Sequence, residues 1–339
     1  MEPTNYQRFP EDSNASKPPK RGWKRFLPFI IVIGVLLCCV VVGGIYNWHA
    51  SSRDSVHDAP FSSGQKNVEV LYINGTIETS GTTYNQRFIN DRIETAKNDS
   101  DNVGIVLRVD SPGGAVYECD ETYLKLLDYK ETTHRPVYTY CESMAASAAY
   151  YIACSSDKIY ANRNSLVGSI GVIAGRFVDA KTLMEKLGVT ITTVHSGANK
   201  LMGSLTEPPT EEQLAIMQSV SDQAYNQFVG IVAEGRGMSE ETVCGLADGR
   251  IYTAQQGVDN GLIDEIATSE EFDDAVKAEL GDDLVFNRSV YQQDPWTEFA
   301  NRFSQVGNAL HPASASSELE SALRTLDGLR ITRPMYLYQ

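Results

Sequence analysis

Three short segments of the chain contain residue types that could carry out chemistry. The first, residues 110–114 (Asp-Ser-Pro-Gly-Gly), follows an apolar run, and its glycines could turn the backbone and present N–H groups to a ligand. The second, residues 142–151, is rich in small side chains around Ser147, and the third, residues 195–200, ends in Lys200. Each is ambiguous when taken alone. Glycine turns are common, a serine among alanines often only packs, and most lysines are solvated.

All three segments follow predicted strands in a chain where strands and helices alternate. This order favours an α/β fold in one domain, with a mostly parallel sheet. Apolar runs and alternation predict strands over 68–73, 103–109, 137–141, 158–161, 168–173 and 190–194. Helical periodicity and small-residue runs predict helices over 84–97, 116–129, 145–153, 178–187, 210–236, 239–247, 253–260 and 269–280.

A membrane anchor is predicted near the N-terminus. Residues 26–46 carry no charge, and at about 1.5 Å per residue a helix of this length spans a bilayer core of roughly 30 Å. Five basic residues precede it, which predicts a cytoplasmic segment 1–25 and an extracytoplasmic body, bound to the cell membrane by one span. A cleaved signal peptide is the alternative, but no small-x-small site closes the run.

The rest of the chain is predicted as a tether, a domain and a tail. Residues 47–66 have no apolar period and form the tether, residues 67–310 form the domain, and residues 311–339 form the tail. The tail ends in the apolar and aromatic stretch Met335–Tyr338. This stretch either packs as a last strand or covers an interface, or it lies in a substrate groove as an internal ligand.

Charge and cysteine content restrict the partners. With 29 Lys and Arg against 44 Asp and Glu, the net charge of −15 disfavours nucleic acid as a partner. The cysteines have no metal-ligand spacing, so neither a metal nor another cofactor is expected. Cys119, Cys141, Cys154 and Cys244 lie outside the anchor, and their pattern leaves both a disulfide and free thiols open.

Taken together, the three segments are specific. From about residue 68 to residue 265 the chain resembles the short, membrane-anchored form of the signal peptide peptidase A family, within the Clp-protease/crotonase superfamily. The resemblance includes residues 110–114, 143–147 with Tyr150-Tyr151, 168–172, 196–200, 225–228, 234–237, 248–253 and 261–264.

The resemblance implies a Clp/crotonase-like fold of repeated ββα units after one transmembrane helix, and a Ser–Lys dyad. Ser147 matches the family's nucleophile, Lys200 its general base, and Ser169 the serine that orients the lysine. This assignment is physically reasonable, since a serine hydroxyl needs a base to take its proton and a desolvated, neutral lysine can act as one.

The oxyanion hole carried over from the family consists of the backbone N–H groups of Gly114 and Ala148, with Gly113 in support. The family usually has Gly-Gly where this chain has Ala148-Ala149. Alanine keeps its N–H, so the hole survives if the backbone needs no positive φ. The added methyl groups put substrate preference in question more than catalysis.

The resemblance further implies a homo-oligomeric ring in which neighbouring protomers complete the dyad. It implies an endopeptidase that degrades remnant signal peptides and other membrane-associated peptides, bound as added β-strands. Four alternatives compete with this interpretation: a Ser–His triad using His195, an acyl-CoA enzyme, a catalytically inactive membrane scaffold, and a stomatin-cleaving type of membrane protease.

Overall fold

The computed structural model of the chain describes residues 64–291 and 335–337. The predicted cytoplasmic segment 1–25, the transmembrane helix 26–46 and nearly all of the tether 47–66 therefore lie outside the described residues, as does most of the tail. No helix in the described ranges is long and apolar enough to cross a membrane.

Three long parallel strands form the centre of the main sheet: β1 (Asn67–Asn74), β2 (Asn102–Ser111) and β4 (Val137–Ala146). The full order is β7-β6-β4-β2-β1-β9, with β5 on β4 and β8 on β5, and only β6 and β7 pair antiparallel. The mostly parallel α/β sheet expected from the sequence is confirmed. The other strands are β3 (Gly113–Ala115), β5 (Lys158–Ala161), β6 (Leu166–Gly168), β7 (Ile251–Thr253), β8 (Glu265–Ile266), β9 (Val285–Ser289) and β10 (Met335–Leu337).

Helices cover both faces of this sheet. Alternate residues of β2 point to opposite faces, so Leu107 and Val109 enter one apolar cluster while Val106 enters the other. The helices are α1 (Gln86–Asn98), α2 (Val116–Thr133), α3 (Ala148–Ala153), α4 (Lys181–Lys186), α5 (Glu211–Arg236), α6 (Glu240–Leu246), α7 (Ala254–Asp259) and α8 (Ser269–Leu280). Thr210 caps α5 in a capping box with Gln213.

Strand β4 changes neighbours along its length. Residues 138–141 pair with β5, whereas residues 144–146 pair with β6. The second half of β4 therefore leaves its first partner and ends at Ser147, directly before α3.

The sequence-based boundaries were wrong at three places. Ala145 and Ala146 belong to β4 rather than to a helix, because they pair with β6. The strand predicted over 168–173 ends at Gly168, where Ser169 has a φ of +52° and turns the chain. Residues 190–194 form no strand and are mostly exposed, with no partner strand in the described part of this single chain.

The four cysteines within residues 64–291 are free thiols. Cys119, Cys141 and Cys154 are buried and Cys244 is exposed, and none of the four forms a disulfide. Burial raises the pKa of the Cys154 thiol to about 12, and that of Cys141 further still. These buried thiols therefore stay protonated and pack as small apolar groups.

Candidate active site

Ser147 lies in a strained turn between β4 and α3. Its backbone has φ +56° and ψ −121°, a conformation that costs a residue other than glycine on the order of 1–3 kcal/mol. Its N–H donates to the carbonyl of Gly168 at 2.7 Å, which holds the turn in place. The residue is 1% exposed, and its Oγ has no hydrogen-bond partner among the described residues. A buried hydroxyl without a partner in a strained turn is typical of a reactive group rather than of a packing serine.

Gly113 and Gly114 form the strand β3 beside this turn. The carbonyl of Gly113 accepts from the N–H of Ile77 at 2.9 Å, and the N–H of Ala115 donates to the Ile77 carbonyl at 2.9 Å. Because backbone groups alternate along a strand, the N–H and carbonyl of Gly114 point to the opposite edge. A Cβ at Gly114 would lie 2.0 Å from the Ile77 oxygen, so only glycine fits there.

The opposite edge of β3 carries the C-terminal strand β10. The two pair antiparallel, with Tyr336 opposite Gly114 and Leu337 opposite Gly113. Strand β10 also lies beside α3, the helix that begins after Ser147. Residues 335–337 therefore form a last strand, as one interpretation of the tail predicts, along the edge that presents the candidate oxyanion N–H. The internal-ligand interpretation stays a prediction.

Ala148 and Ala149 begin α3. Both are completely buried and belong to the larger apolar cluster, and neither has a positive φ. The expected oxyanion hole requires that the alanine backbone has no positive φ, and Ala148 meets this condition. Its N–H lies in the first turn of a helix, where the helix itself supplies no acceptor. The burial of both methyl groups favours a packing role for them.

Ser169 flanks the nucleophile candidate from β6. Two backbone contacts hold this segment in place. Gly168 pairs with Ala146, and the N–H of Ser169 donates to the Arg250 carbonyl at 2.8 Å. Ser169 is 6% exposed and has a φ of +52°. Ser147 and Ser169 therefore follow the last residues of two paired strands, β4 and β6, and both have a positive φ.

Lys200 differs from the buried Ser147 and Ser169 in its exposure. It is exposed and belongs to residues 177–209, which we call the arm. The arm presents apolar side chains to solvent, including Val194 at 96% exposure together with Leu187 and Ile191. The described part of the single chain shows no hydrogen bond between Lys200 and either Ser147 or Ser169.

His195 lies on the same arm as Lys200. Its ring is exposed, and Nδ1 lies 3.2 Å from the carbonyl oxygen of Gly197, within the arm itself. No hydrogen bond of the described residues joins this ring to Ser147.

Sequence reasoning did not find the role of Ile77. An isoleucine after a short turn looks like an ordinary apolar residue, yet its backbone fixes both ends of β3. The only signal in the sequence was the glycine pair itself. Two adjacent glycines indicate that another part of the backbone lies close to them, but they do not indicate which residue it is.

Parts of the chain are similar to known proteins. Residues 130–281 match peptidase family S49. An Enterococcus faecium protein provisionally named signal peptide peptidase SppA is 37% identical over 290 residues, which cover 81% of this chain and 82% of that protein.

Two other relatives match smaller parts of the chain. A provisionally named protease of Synechocystis is 38% identical over 49% of this chain and 59% of its own length. Protease 4 of Salmonella typhi is 30% identical over 67% of this chain and 37% of its own length.

Proposed function

Because the chain belongs to peptidase family S49, it is a serine peptidase, and we propose that Ser147 is its nucleophile and Lys200 its general base. The observation that carries this proposal is the Ser147 hydroxyl. It is buried without a partner, in a strained turn that leads directly into Ala148 and α3, and α3 contacts the strand β3 that contains Gly114. Such a turn directs a hydroxyl at a substrate carbonyl, and the N–H groups of the nearby amides donate hydrogen bonds to the oxyanion that forms.

The chemistry follows from these groups. Neutral Lys200 takes the proton of Ser147 as Oγ attacks the scissile carbonyl carbon, and the carbonyl oxygen becomes an oxyanion. The N–H groups of Gly114 and Ala148 donate to that oxyanion, each lowering the barrier by about 3 kcal/mol. The C–N bond breaks as the lysine returns the proton to the leaving amine. Water then hydrolyses the acyl-serine by the same steps.

The dyad is completed between protomers in this proposal. Ser147 is enclosed in the body of the domain, whereas Lys200 lies on the exposed arm. The arm's exposed apolar side chains Leu187, Ile191 and Val194 suit an interface with a second copy. A heterologous contact of this kind closes into a ring, in which each arm serves a neighbour's serine.

Substrates bind as an added strand on β3. The edge of β3 opposite Ile77 presents the N–H and carbonyl of Gly114, and the chain's own β10 pairs there in extended form. Main-chain pairing of this kind accepts many sequences, while side-chain pockets select among them. An extended, apolar peptide is the substrate class that this edge suits, and the name of the Enterococcus relative extends this to remnant signal peptides and other membrane-associated peptides.

Anchoring at the membrane is a further part of the proposal. Residues 26–46 would hold the peptidase domain on the extracytoplasmic side of the cell membrane, with residues 1–25 in the cytoplasm and with lipid as the partner of the anchor. A peptidase held there meets peptides that remain in the bilayer after secretion. The ring, the anchor and the substrate class rest on the sequence and on the exposed arm.

The experiment uses the full chain in detergent with a synthetic apolar signal-peptide fragment and a mass-spectrometric readout. We expect Ser147→Ala and Lys200→Ala to abolish cleavage while leaving folding and assembly intact. Cleavage that persists in Lys200→Ala refutes the dyad. An assembled wild-type protein that cleaves no peptide would instead favour the inactive scaffold.

A further inference from the structure

A cluster of three hydrogen-bonded side chains joins three helices close to the candidate site. Tyr151 on α3 donates its hydroxyl hydrogen to Asp120 Oδ1 on α2, at 2.5 Å. Gln227 on α5 donates from Nε2 to the Tyr151 hydroxyl oxygen at 2.8 Å and to Asp120 Oδ1 at 3.1 Å. We call these three residues the three-helix cluster.

The chemistry of the cluster fixes the direction of its bonds. Burial first, and then the hydrogen bond to Asp120, raises the pKa of Tyr151 far above its usual value. The phenol therefore stays protonated and donates to the carboxylate. A hydrogen bond to a charged acceptor is shorter and stronger than one between neutral groups.

Aromatic packing holds the Tyr151 ring from both sides. The ring lies 5.3 Å from that of Tyr123 on α2 in an edge-to-face contact and 5.2 Å from that of Phe228 on α5. Both the ring and the hydroxyl of Tyr151 thus contact the same two helices. The two kinds of contact can be separated experimentally, because replacing tyrosine by phenylalanine removes only the hydroxyl.

Each of the three helices is continuous with one part of the proposed site. Helix α2 starts after β3 with Gly114, α3 starts after Ser147, and α5 starts after the arm with Lys200. The N-terminal half of α5 is mostly exposed, and the helix becomes buried at Ala224 and Phe228. Gln227 therefore lies where the helix that carries the arm first attaches to the body.

We propose that Asp120, Tyr151 and Gln227 are positioning residues that set the angle of the arm-bearing helix α5 relative to the nucleophile and the oxyanion hole. This inference rests on the proposed function. The arm of each protomer directly precedes the N-cap of α5. In a ring, the angle of α5 therefore determines where the arm places Lys200 at the neighbouring site. A base displaced by about 1 Å can cost a large factor in rate without any loss of substrate contacts.

The first test compares Tyr151→Phe with Tyr150→Phe in the full chain. Both tyrosines are completely buried on α3, but the hydroxyl of Tyr150 donates to the Leu262 carbonyl at 2.6 Å, far along the chain from the proposed catalytic residues. With rates normalised to folded oligomer, we expect Tyr151→Phe to lower kcat about tenfold with KM within about twofold. Tyr150→Phe should keep kcat within about twofold.

A second pair of variants changes exposed side chains instead of buried ones. Gln227→Ala is compared with Gln255→Ala, since Gln255 on α7 is exposed and its amide bonds only Asp259 within its own helix. In Gln227→Ala and Tyr151→Phe, the ascending limb of the pH–rate profile should move to higher pH, because a less enclosed base becomes neutral only at higher pH. If Tyr151 and Gln227 only stabilise the fold, the ascending limb of the pH–rate profile should stay at its wild-type position in both variants.

The inference fails if the limb stays at its wild-type position in both cluster variants, or if Tyr150→Phe and Gln255→Ala change kcat and the limb equally. These results differ from a failure of the proposed function. That failure would appear as cleavage persisting in Ser147→Ala or Lys200→Ala, whatever the cluster variants do.

Discussion

Gly114 and Tyr336 face each other in an antiparallel pair between β3 and the C-terminal strand, although 221 intervening residues separate them in the chain. The N–H of Gly114 that is proposed to stabilise the oxyanion points to the edge on which Tyr336 lies. In the proposed mechanism, a substrate strand takes the place of β10 in order to reach Ser147.

The tail should therefore compete with substrate. We expect deletion of residues 334–339 to lower KM about tenfold with kcat nearly unchanged, because a tethered strand has a high effective concentration at its site. Tyr336→Pro should act in the same direction, since proline has no N–H to donate to Gly114 and disrupts strand pairing. Steady-state kinetics on a synthetic apolar peptide measures both variants. An unchanged KM together with unchanged assembly would remove the tail from the substrate groove.

Gly114→Ala should inactivate the enzyme. A methyl group there would lie 2.0 Å from the Ile77 carbonyl oxygen, so β3 must shift and carry the oxyanion N–H with it. We expect kcat to fall by about 10²-fold or more, with the far-ultraviolet circular dichroism spectrum retained.

The matched control is Gly230→Ala on α5, where an added methyl group meets nothing within 4 Å. In a helix interior this change should stabilise the protein by about 0.5–1 kcal/mol. Comparable kcat values for the two variants would show that the close approach of Ile77 does not position the oxyanion donor.

Ala148→Gly and Ala149→Gly test the departure from the usual family pattern. Both methyl groups are buried in the apolar cluster, so each change should lower the free energy of unfolding by about 1–2 kcal/mol, through lost helix propensity and lost burial. The ranking of peptide substrates should stay the same. Denaturant melts give the first quantity and a mixed peptide library gives the second. A changed ranking would place the methyl groups in a substrate pocket.

Arg236 and Asp264 connect two of the stretches that suggested the family. The Arg236 guanidinium donates to both Asp264 oxygens at 3.0 and 2.7 Å and to the Gly261 carbonyl at 2.9 Å, and its side chain is 6% exposed. We expect Arg236→Leu to lower the free energy of unfolding by about 3 kcal/mol.

Arg236→Lys should recover only part of this loss, since an ammonium group cannot make the paired contact. Exposed Arg250, which pairs with Asp248 at the surface, provides the control, and Arg250→Leu should change stability by less than about 1 kcal/mol. Equal losses at the two arginines in urea denaturation would contradict this account.

Local signals predicted most of the fold. Helix α8 begins and ends where the sequence placed it, at Ser269 and Leu280, because Thr268 caps its first turn and Gly281 follows its last. The buried apolar run of β2 was equally clear. These features depend on neighbours in sequence.

What failed depends on distant partners. Ala145 and Ala146 have high helix propensity, but pairing with Val167 and Gly168 places them in β4. Residues 190–194 are all β-branched, a composition typical of strands, yet the described chain gives them no strand to pair with. Ile77 and Tyr336 contact β3 from two sides without any local signal of it.

The most direct test of the shared dyad is complementation between two inactive variants. Ser147→Ala and Lys200→Ala are co-expressed with different tags, and oligomers that contain both are isolated and assayed on the synthetic peptide. If each site takes its serine from one protomer and its lysine from a neighbour, randomly mixed rings should recover about a quarter of the wild-type activity. A complete lack of activity in verified mixed oligomers would mean that both residues must belong to one chain, and would contradict the proposal.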